Sequence, residues 1–336
     1  MTFKRAARTV LHSMGGLTLL RRARREYSRV LMFHSFGEDD QANLDSICAE
    51  IAKGFQPVSL NDIVEAARGN QTLPHNAVTV TIDDAYRSYL TRGHPVFRKH
   101  KIPVTVFAVA GFSDGQLWLW PDQTEFALEH TNRSSIRAEV QAGKILDLDL
   151  STAASRAAST DKLNEALKLA PDEARMAFIA ELKASTGVSI PPYPPANKAA
   201  MTWDELRAIA ADGVEIGCHT ETHPILSRVS SPEKLEREIR GAKEFIESRL
   251  WRPVNHFCYP NGRAIDIGAA AAAMVRKAGF KSATTTTWGM NPVHCDPMSI
   301  RRLPFSGDTS AQYAAELMAG LHLPSNVTAD DEAQVQ

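Results

Sequence analysis

Short runs of β-branched and apolar residues recur along this chain of 336 residues, each followed by a stretch with helical spacing. They cover Val30 to Phe33, Val78 to Ile82, Val104 to Ala110, Val214 to Gly217, His256 to Tyr259 and Ser282 to Thr287. That rhythm argues for βα units around a mainly parallel sheet. The length suits one large α/β barrel or two ordinary domains, and either buries a sizeable core without staples. Two helices have readable ends. Ser231 is placed as an N-cap with Pro232 at the first helical position, ahead of an apolar stripe at Leu235, Ile239, Ala242, Phe245 and Ile246. A second helix, Ile265 to Ala278, stops at Gly279, which suits a left-handed cap.

Between Phe112 and Ala200 the rhythm gives way to a long stretch of Ala, Ser, Lys and Glu. Met176, Phe178, Ile179 and Leu182 keep helical spacing there, and the stretch closes on the Pro-rich segment at 191–195. Residues 112–200 therefore read as an inserted helical subdomain. It separates two groups of polar residues that belong to one site, which places it as a lid or wall. Residues 1–28 read as a basic helical segment and 323–336 as a disordered polar tail.

The 38 Lys and Arg nearly cancel the 39 Asp and Glu, so no overall field points to nucleic acid and a neutral partner is expected. Cys48, Cys218, Cys258 and Cys295 are scattered without a CxxC pair and read as buried thiols in a reducing compartment. Near the N-terminus the apolar patch Gly15 to Leu20 is too short to span a bilayer and has no small-residue cleavage site, so cytoplasmic placement is expected. The cluster Arg21, Arg22, Arg24 and Arg25 has two readings: a solvated helix face covering the end of the barrel, or a peripheral contact with anionic lipid at the inner membrane face.

The chemistry concentrates in two segments. In VTVTIDDAY a β-branched strand runs into Asp83 and Asp84. Two adjacent buried carboxylates repel, at a cost of several kcal/mol, unless a cation or strong donors compensate. One of them can cap a following helix; two leave one unexplained. In GVEIGCHTETHP another strand ends in His219, with His223 four residues on. On a helical turn that spacing puts two imidazoles about 6 Å apart on one face, close enough to share an ion. Ligand sites on α/β sheets gather at the carboxyl ends of strands, where both segments lie. Two imidazoles and one carboxylate give a three-ligand face with open positions, whereas a closed structural zinc site takes four protein ligands. Glu221 stands two residues after His219, so the HExxH arrangement does not apply. Cys218 would be a fourth ligand only if strand alternation did not point it away from the His219 face. A divalent ion there would activate water and polarise a carbonyl; Asp84 can then be ligand and Asp83 base, because neighbours on a turn reach one ion from different directions. A departing amine needs a proton, which a histidine must supply.

TIDDAY, HTETHP and the later FCYPNG resemble, in order and spacing, the motifs of the NodB-homology polysaccharide deacetylases. The resemblance covers about Val30 to Phe305. It implies a distorted (β/α) barrel, here residues 29–322 interrupted by 112–200. It also implies a hydrolase that removes N-acetyl groups from amino sugars of a polysaccharide or glycan precursor. By the same resemblance Asp83 is the general base, and Asp84, His219 and His223 hold one divalent metal, usually zinc with cobalt or nickel as alternatives. VLMFHSF is similar to the opening strand of the branch whose catalytic acid precedes the Asp pair, which points to His34, with His294 as the reserve. Tyr259, Pro260 and Asn261 are expected to line the pocket through backbone N–H groups and the Tyr ring.

Two departures bear on this reading. Ala85 stands where the family usually has Gly, and Cys258 where many members carry an Arg that orients the base. Arg301 or Arg302 is the candidate substitute. Trp118 and Trp120 suit sugar stacking and core packing equally. An O-acetyl esterase, a deformylase or an amidase would use the same scaffold, a non-haem iron oxygenase the same three ligands, and a glycan-binding module the same fold without turnover.

Overall fold

A computed structural model describes residues 16–323, so the expectations for residues 1–15 and for the tail beyond 323 lie outside the described residues. The barrel strands are β1 Arg29–Phe33, β2 Gln56–Pro57, β3 Ala77–Ile82 and β4 Val104–Ala108. An antiparallel hairpin follows, β5 Ser135–Gln141 and β6 Lys144–Asp149. The barrel resumes with β7 Glu215–Cys218, β8 His256–Cys258, β9 Ser282–Trp288 and β10 Ile300–Pro304. The parallel order β1-β10-β9-β8-β7-β4-β3 closes through a β1–β3 pairing that aligns Arg29 with Val78 and Phe33 with Ile82. Seven strands thus form a closed parallel barrel ringed by helices, while β2 pairs with the start of β3.

Every residue of β1, β3 and β4 is buried, as expected for strands covered on both faces. The outward set on β3, Val78, Val80 and Ile82, packs in the main core with Leu44, Ile47 and Ile51 of the helix Asp40–Gly54. The opposite face of β3 is polar, and its Thr81 hydroxyl bonds to the carbonyl of Leu31 at 3.0 Å. Val30, Phe107, Cys258 and Ile300 pack together with Leu60, Ile63 and Val64 of the helix Leu60–Ala67. The capping box of that helix, in which Ser59 and Asp62 satisfy each other's backbone N–H groups, fixes where it starts.

The segment between β4 and β7 has its own core, built from Trp120, Leu128, Leu163, Phe178, Ile179 and Leu182. It is helical over Trp120–His130, Ala153–Leu169 and Asp172–Ala180, and it also contains the β5–β6 hairpin, which the helical reading did not anticipate. Ile136, Ala138 and Val140 alternate inward along β5, and Gly143 at φ 78° makes the tight turn. A window tuned to helical spacing dilutes so short a period-2 signal. The helix read as Ile265 to Ala278 is interrupted: Gly268, at φ 75°, separates Ala264–Ile267 from Ala269–Lys277, and Gly279 at φ 77° follows its end.

Of the N-terminal arginines, Arg21 stacks over Phe55 at 5.7 Å and Arg24 donates to the carbonyl of Ala319 at 3.2 Å. Those two side chains pack on the folded body, whereas Arg22 and Arg25 are exposed. Among the described residues no helix is long and apolar enough to cross a membrane. Cys48, Cys218 and Cys258 are buried thiols, whereas Cys295 is half-buried.

Candidate active site

The chemistry-bearing residues collect where the barrel strands end. His34 follows β1, Asp83 and Asp84 follow β3, and His219 follows β7. The turns there are strained: Asp84 (φ 69°), Ala85 (φ 59°), Thr220 (φ 70°), His223 (φ 59°) and Asn261 (φ 59°) all occupy the left-handed region. For a β-branched residue such as Thr220 that conformation costs on the order of 1–3 kcal/mol. Such strain persists only where the surroundings over-determine it. The turn after β3 is held by backbone bonds from Met201 to Ala85 (2.9 Å) and from Arg87 to Ala199 (2.8 Å).

His219 and His223 sit on an irregular loop rather than a helical turn, so their approach, with ring centroids 4.8 Å apart, comes from the left-handed residues between them. Asp84 Oδ1 lies 3.5 Å from His219 Nε2 and 3.4 Å from His223 Nε2. The same oxygen is buried with no hydrogen-bond partner, so helix capping does not account for it. His219 Nδ1 bonds to the carbonyl of Cys258 at 2.7 Å, which makes Nδ1 the protonated nitrogen and leaves the Nε2 lone pair toward Asp84. One orphaned carboxylate oxygen and two imidazole nitrogens within 4.8 Å of one another fit a divalent cation. Burial, added to by the charge of Asp83 and partly offset by His219, pushes the Asp84 carboxyl up to about 7 in the absence of an ion.

A second grouping, Asp83, His219 and Cys258, is equally close, but a cation already occupies it. Arg302 donates to Asp83 Oδ1 at 2.6 Å and to Oδ2 at 2.8 Å, and it lies 3.2 Å from the Cys258 sulfur. Its Nε donates to the carbonyl of Thr285 at 2.8 Å, which fixes the plane of the guanidinium. Burial alone would raise the Asp83 carboxyl, but the charge and hydrogen bonds of Arg302 outweigh it and hold Asp83 well below the usual carboxylate range. Burial drives the Cys258 thiol far up, so it stays protonated beside that pair. The guanidinium that faces Asp83 thus comes from β10. Sequence narrowed the choice to Arg301 or Arg302; strand alternation puts the second of them inward.

His34 Nε2 stands 3.8 Å from Asp83 Oδ2, with 47% of its side chain open to the cavity. Its crowded surroundings lower the imidazole pKa, against which the charge of Asp83 works. The cavity is about 920 Å³. Barrel turns line one side of it with Tyr86, Asn261, Arg263, Thr286 and Trp288, and the insertion lines the other with Leu119, Trp120, Asn164, Glu165 and Lys168. The insertion is a wall of this cavity. Trp118 is buried against Phe126, whereas Trp120 packs under Arg175 at 5.3 Å and shows only an edge to the cavity. Trp288, 40% exposed, is the larger open aromatic, and its place as the last residue of β9 was the signal that could have found it.

Three sequence expectations are corrected by this geometry. The Tyr259 ring is buried edge-on to Phe257 in the barrel core, and its N–H is spent on Thr284 at 3.1 Å, so it does not border this cavity. Pro260 has no N–H to offer and does not border the cavity either; of the three turn residues only Asn261 does. His294 sits on the exposed β9–β10 connection next to Asn291, which bridges Ser28 just before β1, and that is the opposite end of the barrel from Asp83.

The fold is the (β/α) barrel seen in solved polysaccharide deacetylases. Residues 176–283 match the family model described as polysaccharide deacetylase, a stretch that includes both histidines but not the aspartate pair. Among curated proteins, the poly-β-1,6-N-acetyl-D-glucosamine N-deacetylase of Escherichia coli K12 is 41% identical over 61 residues, a stretch that spans 18% of this chain and 9% of that relative. Among solved structures, IcaB from Ammonifex degensii superposes with a TM-score of 0.57 at 15% identity, covering 88% of this chain and 98% of that one. The Streptococcus pyogenes deacetylase PplD in complex with acetate superposes at 0.56 and 14% identity, covering 87% and 98%.

Proposed function

We propose that the protein is a metal-dependent hydrolase that removes N-acetyl groups from amino sugars of a polysaccharide or glycan precursor. The observation that carries the proposal is the convergence of Asp84 Oδ1, His219 Nε2 and His223 Nε2 on one point of an open cavity, beside a second carboxylate locked by Arg302. The names of the similar proteins, an N-deacetylase and an acetate-bound deacetylase, support the same reading.

Asp84, His219 and His223 would hold a divalent ion, zinc in this proposal, which when bound would supply Lewis acidity toward the acetyl carbonyl and the attacking water. Asp83 remains ionised throughout the working range and takes the proton of that water. Arg302 holds both carboxylate oxygens of Asp83 and so restricts the carboxylate to one orientation at the cavity edge. His34 stands 3.8 Å across from it, near enough to receive the proton that Asp83 takes from the water and to pass it to the departing nitrogen. Trp288 and Asn261 border the space a sugar ring would fill.

The test is acetate release by the full chain from N-acetylated and O-acetylated amino-sugar polymers, after chelation and after repletion with zinc, cobalt or nickel. Release from N-acetyl substrates that vanishes on chelation and returns with metal is expected. Release from O-acetyl substrates alone would move the assignment to an esterase on the same site. Metal retained by the His219→Ala, His223→Ala double variant would refute the ligand assignment.

A further inference from the structure

The loop from His219 to His223 carries two of the three ligands and has no regular structure of its own. With Thr220 and His223 at positive φ it is strained, so something outside it must hold it. From one side, the N–H groups of Ala110 and Gly111 donate to the carbonyls of Thr220 (3.0 Å) and Glu221 (2.9 Å). From the other side comes Glu238, a carboxylate only 2% exposed. Its Oε2 accepts the backbone N–H of Glu221 at 3.1 Å and of Thr222 at 2.9 Å, and its Oε1 accepts the Thr222 hydroxyl at 2.5 Å. Glu238 lies in a π-helical turn, Arg237–Gly241, set between the α-helical segments Pro232–Glu236 and Ala242–Leu250. Such turns re-aim side chains relative to a regular helix and recur beside functional sites. A buried carboxylate that meets three donors of one loop is a clamp on that loop.

We infer that Glu238 is a positioning residue for the metal site: it holds the His219–His223 loop in the shape that brings both Nε2 atoms to Asp84, and metal affinity depends on it. The inference rests on the reading of Asp84, His219 and His223 as ligands.

The test is zinc affinity by competition with a chromophoric chelator, together with the visible spectrum of the cobalt-loaded full chain. Glu238→Ala is expected to weaken zinc binding at least about tenfold and to alter the cobalt bands. Glu238→Gln, whose carbonyl oxygen can accept both N–H groups while its amide faces the Thr222 hydroxyl, is expected to recover to within about threefold of wild type. Leu163→Ala, in the separate core of the insertion, destabilises the chain without touching the loop and is expected to leave affinity and spectrum unchanged. Should Glu238→Ala not fold, Thr222→Val removes one bond of the clamp and is expected to weaken zinc about two- to fivefold. Unchanged affinity and spectrum in Glu238→Ala, or in Thr222→Val if it must stand in, overturns the inference, as does an equal loss in Leu163→Ala. Absence of metal binding by the wild type overturns the ligand reading itself.

Discussion

Replacing Arg302 by methionine keeps most of the side-chain volume and removes the charge that faces Asp83. The pair is buried on both sides, Arg302 0% and Asp83 3% exposed, with bonds of 2.6 and 2.8 Å. Opposite charges about 4 Å apart at an effective dielectric constant near 20 attract by about 4 kcal/mol. Breaking a buried pair on one side generally costs about 3–5 kcal/mol because the other charge is left uncompensated. Arg302→Met is therefore expected to lower the unfolding free energy by about that amount in urea titrations at pH 7, with the midpoint moving and the slope unchanged. The sign with pH follows from the direction of the Asp83 shift. Its carboxyl is held below the ordinary value, so the stability it contributes is present above the unfolded pKa and is lost as pH falls through the folded one. The gap between wild type and variant should accordingly narrow as pH falls, because burial raises the stranded Asp83 carboxyl and lets the variant protonate it, and because the wild type loses its own contribution below about pH 4. Adding Asp83→Asn to the variant removes the stranded charge and should restore at least about 2 kcal/mol, whereas Asp83→Asn alone destabilises the wild type. A loss under 1 kcal/mol for Arg302→Met, or simple additivity of the two substitutions, would refute the role given to this pair.

Asp84→Asn is expected to lose the metal, measured by elemental analysis after dialysis, while Asp83→Asn keeps it and loses turnover by about 10²-fold or more. Without metal, the Asp84 carboxyl at about 7 binds its proton more tightly in the folded state, so the chelated protein should lose stability as pH rises from about 4 through 7. Three pKa units correspond to about 4 kcal/mol. Thermal melts of the chelated protein would show the decline, and its persistence in Asp84→Asn would contradict the assignment. Trp288→Ala is expected to raise KM about two- to tenfold with kcat nearly constant, read from acetate-release kinetics. His34→Ala should cost about 10²–10⁴ in kcat while leaving zinc affinity within about threefold. A loss of metal instead would make His34 part of the ligand set.

The sequence by itself determined the βα rhythm, the interruption after Phe112 and the two segments that carry the aspartates and histidines. Those are local properties: β-branched runs, helical spacing and short motifs at strand ends leave their mark within a few residues. The placement of His34, Asp83, Asp84, His219 and His223 around one cavity followed from where strands end, which the same runs already announced. Tertiary structure decided the rest. Whether Arg301 or Arg302 meets Asp83 depends on the inward face of β10, and β10 has an irregular register against β9 that short-range patterns do not encode. Tyr259 was expected in the pocket from the resemblance of FCYPNG, yet pairing with Thr284 consumed its N–H and packing against Phe257 consumed its ring. Glu238 carries no motif and is 15 residues or more from the histidines in the chain; a π turn and a fold-wide approach bring it to their loop. Motifs at strand ends are written in consecutive residues, whereas the groups that hold them in place come from strands and helices far away in the chain, where only the closing of the barrel makes them neighbours.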